Sequence, residues 1–172
     1  MRVVAFSCVH WMSRNCQVNI YEYENPLDYS PLYELCRRLL DDPPDVVVNL
    51  GDFTETYWER PPELPEGYTR IPYFAELIKL CGNHDRDDGL DHVVLDEVRY
   101  EHGHKLGPPG KDGSTEGYIE DLRRNVADLR LVHGHTHVPY LPEKGWPLDV
   151  GSLTFSRTYG EVVDGVPTLH FL

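Results

Sequence analysis

Basic charge is scarce in this 172-residue chain: 16 Lys and Arg stand against 29 Asp and Glu, a formal net charge of −13. Proteins that grip long nucleic acid set Lys and Arg against its phosphates, so this balance speaks against such a partner. Long apolar runs are also missing. No stretch reaches the roughly 18–20 residues that a membrane-spanning helix needs, and no membrane partner is expected. The N-terminal apolar run, Val3–Phe6, is short and is not followed by a small-residue cleavage site. A secretion signal is therefore not expected, and a cytoplasmic location is. The four cysteines (8, 16, 36 and 81) lack the paired spacing of a disulfide framework. They read as thiols, and any special one reads as a metal ligand or nucleophile. Internal repeats and low-complexity tracts are absent as well, and the length suits a single domain over 1–172.

What is present is a series of short strands. RVVAF at 2–6 and DVVVNL at 45–50 are apolar without alternation, which suits strands of a sheet covered on both faces. Between them, Pro31–Asp42 has helical periodicity with Pro in its first turn. The Pro- and aromatic-rich stretch 53–76 reads as an irregular excursion with a short helix near 70–76. Leu77–Cys81 reads as a third strand, and two more are expected near 92–95 and 97–102. GPPGKDGSTEG at 107–117 reads as a loop. A helix from Thr115 to about Ala127 is expected behind it, with Ser114 as its cap. Leu129–Val132 is a further strand. The C-terminal third reads as a β-meander turning at Asp164-Gly165.

Five of these strands end in polar clusters: Cys8-Val9-His10, Gly51-Asp52, Gly82-Asn83-His84-Asp85, His102-Gly103-His104 and Gly134-His135-Thr136-His137. Each cluster alone is unremarkable, since a lone His is more often hydrogen-bonded than ligating and a lone Gly-Asp is more often a turn. Jointly they point to one place, because ligands of open α/β sheets bind beyond the carboxyl ends of the strands.

The five blocks in this order resemble the calcineurin-like metallophosphoesterase superfamily, especially its small single-domain, phosphodiesterase-like members. The family's series is Asp-x-His, Gly-Asp, Gly-Asn-His-Asp/Glu, a later His, and Gly-His-x-His. Gly151-Ser152 is similar to a later Gly-Ser of the family. The resemblance implies an α/β fold, an αββα sandwich of two mixed β-sheets flanked by helices. It also implies two divalent transition-metal ions that share a bridging hydroxide for in-line attack on phosphorus. By resemblance, Cys8, His10, Asp52 and His137 would hold one ion, and Asp52, Asn83, His102 and His135 the other, with Asp52 bridging. Mixed nitrogen and oxygen donors suit Mn, Zn, Fe or Ni better than Ca. His84 would be the general acid or a substrate clamp, with Asp85 or Glu55 orienting it. Arg86 could reach a substrate phosphate or form a structural ion pair, and His104 fits a supporting role behind the ligands.

One position departs from the family pattern: Cys8 stands where Asp is expected. As a thiolate it would keep the carboxylate's charge and shift preference towards Zn or Fe. As a protonated thiol it would leave one site weak or empty. The expected activity is hydrolysis of small phosphodiesters or phosphomonoesters, with a small phosphate ester as partner. A nuclease or cyclic-nucleotide phosphodiesterase shares the same chemistry. A catalytically weak scaffold on this fold is the competing class, but a scaffold is expected to lose several ligands rather than one. The GPPGKDGS stretch fails as a phosphate-binding P-loop, because Lys105 stands where the first Gly is required and Asp112 follows Lys111.

Overall fold

Alternation along the buried strands sets the layering of the molecule. In the computed structural model, which describes residues 1–11, 28–54, 64–85, 89–106 and 115–172, Arg2–Phe6 forms β1. Its Val4 and Phe6 pack on one side with Leu32, Leu35, Leu39, Tyr68 and Ile71. Its Val3 and Ala5 pack on the other with Val98, Tyr100, Val132 and Leu148. The strand Val46–Asn49 (β2) divides in the same way, with Val47 on the first side and Val46 and Val48 on the second. A strand buried on both faces has no solvent side to fill with polar residues, so both read as unbroken apolar runs.

The first sheet holds five strands. β1 pairs in parallel with β2 (Val3 opposite Val46), and β2 pairs in parallel with β3, Glu76–Lys79. On the other side of β1 lie β8, Thr158–Val163, and β9, Val166–Phe171, both antiparallel to their neighbours and joined through Asp164-Gly165. The second sheet runs β4 (His92–Leu95), β5 (Val98–Glu101), β6 (Leu131–His133) and β7 (Leu148–Asp149). Only β4 is antiparallel within it. Helix α1, Ser30–Asp41, lays Leu32, Leu35 and Leu39 on the first sheet, with the short helix α2, Glu66–Thr69, beside it. Helix α3, Thr115–Asn125, contributes Leu122 to a small cluster with Val126 and Leu131 of the second sheet. The expected αββα sandwich of two mixed sheets is present.

Three local expectations are corrected. The C-terminal third is not a meander: β7 joins the second sheet in parallel beside β6, and only β8–β9 forms a hairpin. The pattern Leu148-Asp149 is too short to show which sheet it belongs to. The helix expected near 70–76 is replaced by α2 and a single 3-10 turn at Ile71–Tyr73. Pro72 lacks an N–H and its ring opposes continuation of an α-helix through it. The strand expected at 129–132 begins only at Leu131. Ser114 and residues 107–114 lie outside the described residues. Among the described residues no helix is long and apolar enough to cross a membrane.

Candidate metal centre

The carboxyl ends of β1, β2, β3, β5 and β6 carry the five polar clusters, and the backbone ties them to one another. The Gly51 carbonyl accepts the Cys8 N–H at 3.1 Å, and the Asp52 carbonyl accepts the His10 N–H at 3.1 Å. The His102 carbonyl accepts the Gly134 N–H at 3.0 Å, linking the β5 and β6 ends. Five residues here take left-handed backbone angles: Cys8 (φ 54°), His10 (50°), Asp52 (53°), His135 (70°) and His137 (59°). Such angles cost a non-glycine residue roughly 1 kcal/mol or more and persist where the surroundings impose them. Turning each residue this way aims successive side chains inward from very short loops. Gly51 and Gly82 allow the close approach of β2 and β3, since a Cβ on Gly51 would strike the Gly82 backbone and one on Gly82 would strike the Asp52 carboxylate.

Two groups of donors result. In the first, His10 Nε2 and His137 Nε2 face each other at 3.4 Å, and Cys8 offers its sulfur to both. The second is built on His102, whose Nδ1 lies 3.1 Å from the Leu50 carbonyl. A carbonyl can only accept, so Nδ1 carries a proton. Nε2 points at Asp52 Oδ2 (3.0 Å) and Asn83 Oδ1 (3.2 Å). Whenever the ring is neutral, three lone pairs converge here and a cation satisfies them. His10, Asp52 and His102 are each 1% exposed and Cys8 is fully buried, so water cannot supply that screening. The donors therefore fit divalent metal with mixed nitrogen, oxygen and sulfur ligands.

His135 lies beside the second group, its ring 5.1 Å from that of His102. His84 is half-buried, its ring 5.2 Å from His10. Its backbone N–H donates to Asp52 Oδ1 at 2.8 Å, which fixes where its side chain starts. His104 is also half-buried, next to His102, and its Nδ1 has no hydrogen-bond partner among the described residues. Glu55 and Arg86 lie outside the described residues.

Electrostatics prepare this set for cations. Burial lowers His135 to about 3, helped by His102, and burial lowers His137 to about 3, helped by His10. Both rings are neutral near pH 7, the form that binds metal. Burial opposes charge on Asp52, yet His102 and His10 hold its carboxyl well below the usual range. Burial pushes the Cys8 thiol up, against hydrogen bonds from His10 and Ser7. Cys8 must therefore give up a proton to become a ligand.

Two supports were not visible as such in the sequence. The Asp85 carboxylate accepts backbone N–H groups from Asp52 (2.6 Å), Gly82 (3.0 Å) and Thr54 (3.3 Å), clasping the ends of β2 and β3. Asp149, fully buried, accepts the Thr136 hydroxyl at 2.6 Å and the Gly151 N–H at 3.0 Å, bracing the loop that carries His135 and His137. The available signal was Asp149 immediately before Val150-Gly151-Ser152 at a strand end. Ser152 itself donates to the Cys8 carbonyl at 2.8 Å, which gives the Gly-Ser pair a structural use.

The fold is shared with known structures. The phosphoesterase YfcE of E. coli is similar with 19% identity and a TM-score of 0.53, over 95% of this chain and 89% of that one. Vps29 of Entamoeba histolytica is similar with 18% identity and a TM-score of 0.53, over 99% and 97%. Vps29 of Chaetomium thermophilum has 12% identity and a TM-score of 0.56, over 99% and 95%. Comparison with curated protein sequences gave no match. The sequence model of the calcineurin-like phosphoesterases matches residues 1–122, a span holding four of the five clusters, and this chain belongs to that family.

Proposed function

We propose that this protein is a metal-dependent hydrolase of small phosphodiesters or phosphomonoesters. The observation that carries the reading is the convergence of His102 Nε2, Asp52 Oδ2 and Asn83 Oδ1 beside the facing rings of His10 and His137. Two divalent ions, drawn from Mn, Zn, Fe or Ni, would be held by Cys8, His10, Asp52 and His137 on one side. Asp52, Asn83, His102 and His135 would hold the other, with Asp52 shared. When bound, such ions activate water and neutralise charge on a phosphoryl group. The chain's own residues do the rest. Asp52 orders the second group and anchors the His84 backbone. His84 stands at the half-exposed edge, where an imidazole gives a proton to the departing oxygen or clamps the phosphate. The net charge of −13 favours a small substrate over a long polyanion.

The test is metal analysis together with hydrolysis of bis-p-nitrophenyl phosphate in added Mn. About two ions per chain and measurable turnover are expected. Folded protein inactive with every common metal would sink the enzyme reading. His84→Ala should lower turnover by about 10²–10⁴-fold with metal content unchanged. Loss of metal in that variant would make His84 a ligand instead.

A catalytically weak interaction platform is the second reading, favoured by the neutral, buried Cys8 thiol at a position where the family pattern has Asp. Stoichiometric metal without turnover on any phosphomonoester or phosphodiester would support it.

A further inference from the structure

Beside the imidazoles of the centre stands an aromatic side chain that the hydrolytic reading leaves unused. Phe155 stacks on His137, with ring centroids 5.0 Å apart and planes 18° from parallel. It meets the His10 ring edge-on, at 6.0 Å and 62°. His84 borders that same His10 ring, at 5.2 Å. The Phe155 side chain is only half-buried, so part of its apolar surface stays in water next to the centre. We propose that Phe155 is a stacking platform for the ester group that the phosphorus keeps, which makes the substrate class a phosphodiester with a planar aromatic substituent. This inference rests on the hydrolase reading above and names the substrate of that same site.

Three features support a platform. The ring is held in place: the Phe155 N–H donates to the Ser152 hydroxyl at 3.2 Å, and that hydroxyl donates to the Cys8 carbonyl at 2.8 Å. Ser156 closes the same turn, accepting the Ser152 N–H and donating to the Ser152 carbonyl, both at 2.8 Å. A pre-set ring loses little freedom when a ligand stacks on it. Its position is the second feature. With His84 giving its proton to the departing oxygen, the leaving group lies towards His84, and the retained group falls to the other aromatic ring bordering His10. Hydrolysis then breaks the P–O bond to the leaving group, adds the hydroxyl of water to phosphorus, and leaves an aryl phosphomonoester against Phe155. The third feature is chemical. A half-exposed phenyl ring gains from covering its apolar surface, and a planar aromatic group does so in offset or edge-to-face contact. A net charge of −13 works against a substituent that carries further phosphates.

Two phosphodiesters that share a leaving group test it: phenyl p-nitrophenyl phosphate and methyl p-nitrophenyl phosphate, each with metal-loaded protein. Phe155→Ala should cut the ratio of kcat/KM for the phenyl ester over the methyl ester by about 10-fold, mostly through KM. Phe155→Trp keeps a planar ring and should retain the ratio. Equal losses on both esters would make the ring a support for His137 and overturn the platform, while the hydrolase reading stands. Calorimetry gives a readout that needs no turnover. Metal-loaded wild-type protein should bind phenylphosphonate about 10-fold more tightly than methylphosphonate. Equal affinities overturn the platform even if no variant folds. Folded, metal-loaded protein that hydrolyses neither ester removes the hydrolase reading and the platform together.

Discussion

The two halves of the centre are built from different materials. The Asp52–His102–Asn83 half is a nitrogen and oxygen site in which His102 and Asp52 are each fixed by a further bond. His102 is locked by the Leu50 carbonyl, and Asp52 by the His84 N–H, while Asp85 clasps the backbone beneath. The Cys8–His10–His137 half rests on two facing imidazoles and a thiol, and its fixing comes largely from left-handed backbone and from Ser152 and Thr154. In the first half the side chains are oriented through their own polar atoms. In the second the main chain sets much of the direction, and the Ser7 hydroxyl lies 3.0 Å from the Cys8 sulfur.

Removing the keystone of the nitrogen–oxygen half should have the largest effect. His102→Ala is expected to lower kcat/KM by about 10³-fold, the loss of several kcal/mol of metal-derived stabilisation. It should leave less than full metal occupancy, measured by elemental analysis. An unchanged metal content would break the comparison, because His102 would then not be structural to its half.

Acid acts on both halves at once. An unfolded His takes up a proton below about 6.5. His135 and His137 do so in the folded chain only at about 3. Between those values the unfolded state holds more protons, so stability falls as pH falls. Metal-free protein should therefore melt progressively lower from about pH 6.5 downwards, as followed by circular dichroism. Replacing His137 with Asn should flatten that slope.

Asp149→Ala sharpens the comparison from behind the metal. It strips the Thr136 hydroxyl and the Gly151 N–H of their shared acceptor. A stability loss of about 1–3 kcal/mol in urea unfolding is expected, with metal affinity reduced about 10-fold or more. Asn in the same place should recover most of the stability.

The smallest change is expected from Cys8→Asp. It keeps the charge and a buried ligand, so overall activity should move by less than about 10-fold while the preference shifts from Zn towards Mn. Competition titration with both metals measures it. An identical preference would mean that sulfur does not touch the ions.

Much of this was legible in the sequence because the chemistry sits at strand ends. Cys8, Asp52, Asn83, His102, His135 and His137 each follow the end of a strand by one to four residues, and strands reveal themselves locally. Asp85 and Asp149 were harder. Nothing within a few residues of either shows which backbone groups it will meet, or that Asp149 will be fully buried. β7 escaped for a similar reason, since a two-residue strand has no periodicity and its placement is decided by its partner β6.

The sequence by itself determined which residue types stand at the ends of β1, β2, β3, β5 and β6, and so determined the class of chemistry. Short-range pattern is enough for that, because apolar runs and the turns after them are set by neighbouring residues. Tertiary structure alone decided how those ends combine: which nitrogen of His102 faces Asp52 and Asn83, which backbone Asp85 clasps, and that one sulfur reaches both donor groups. Those relations join residues up to 129 positions apart, as Cys8 and His137 are. They exist only after parallel pairing has brought the strand ends to one edge and the left-handed turns have aimed their side chains inward.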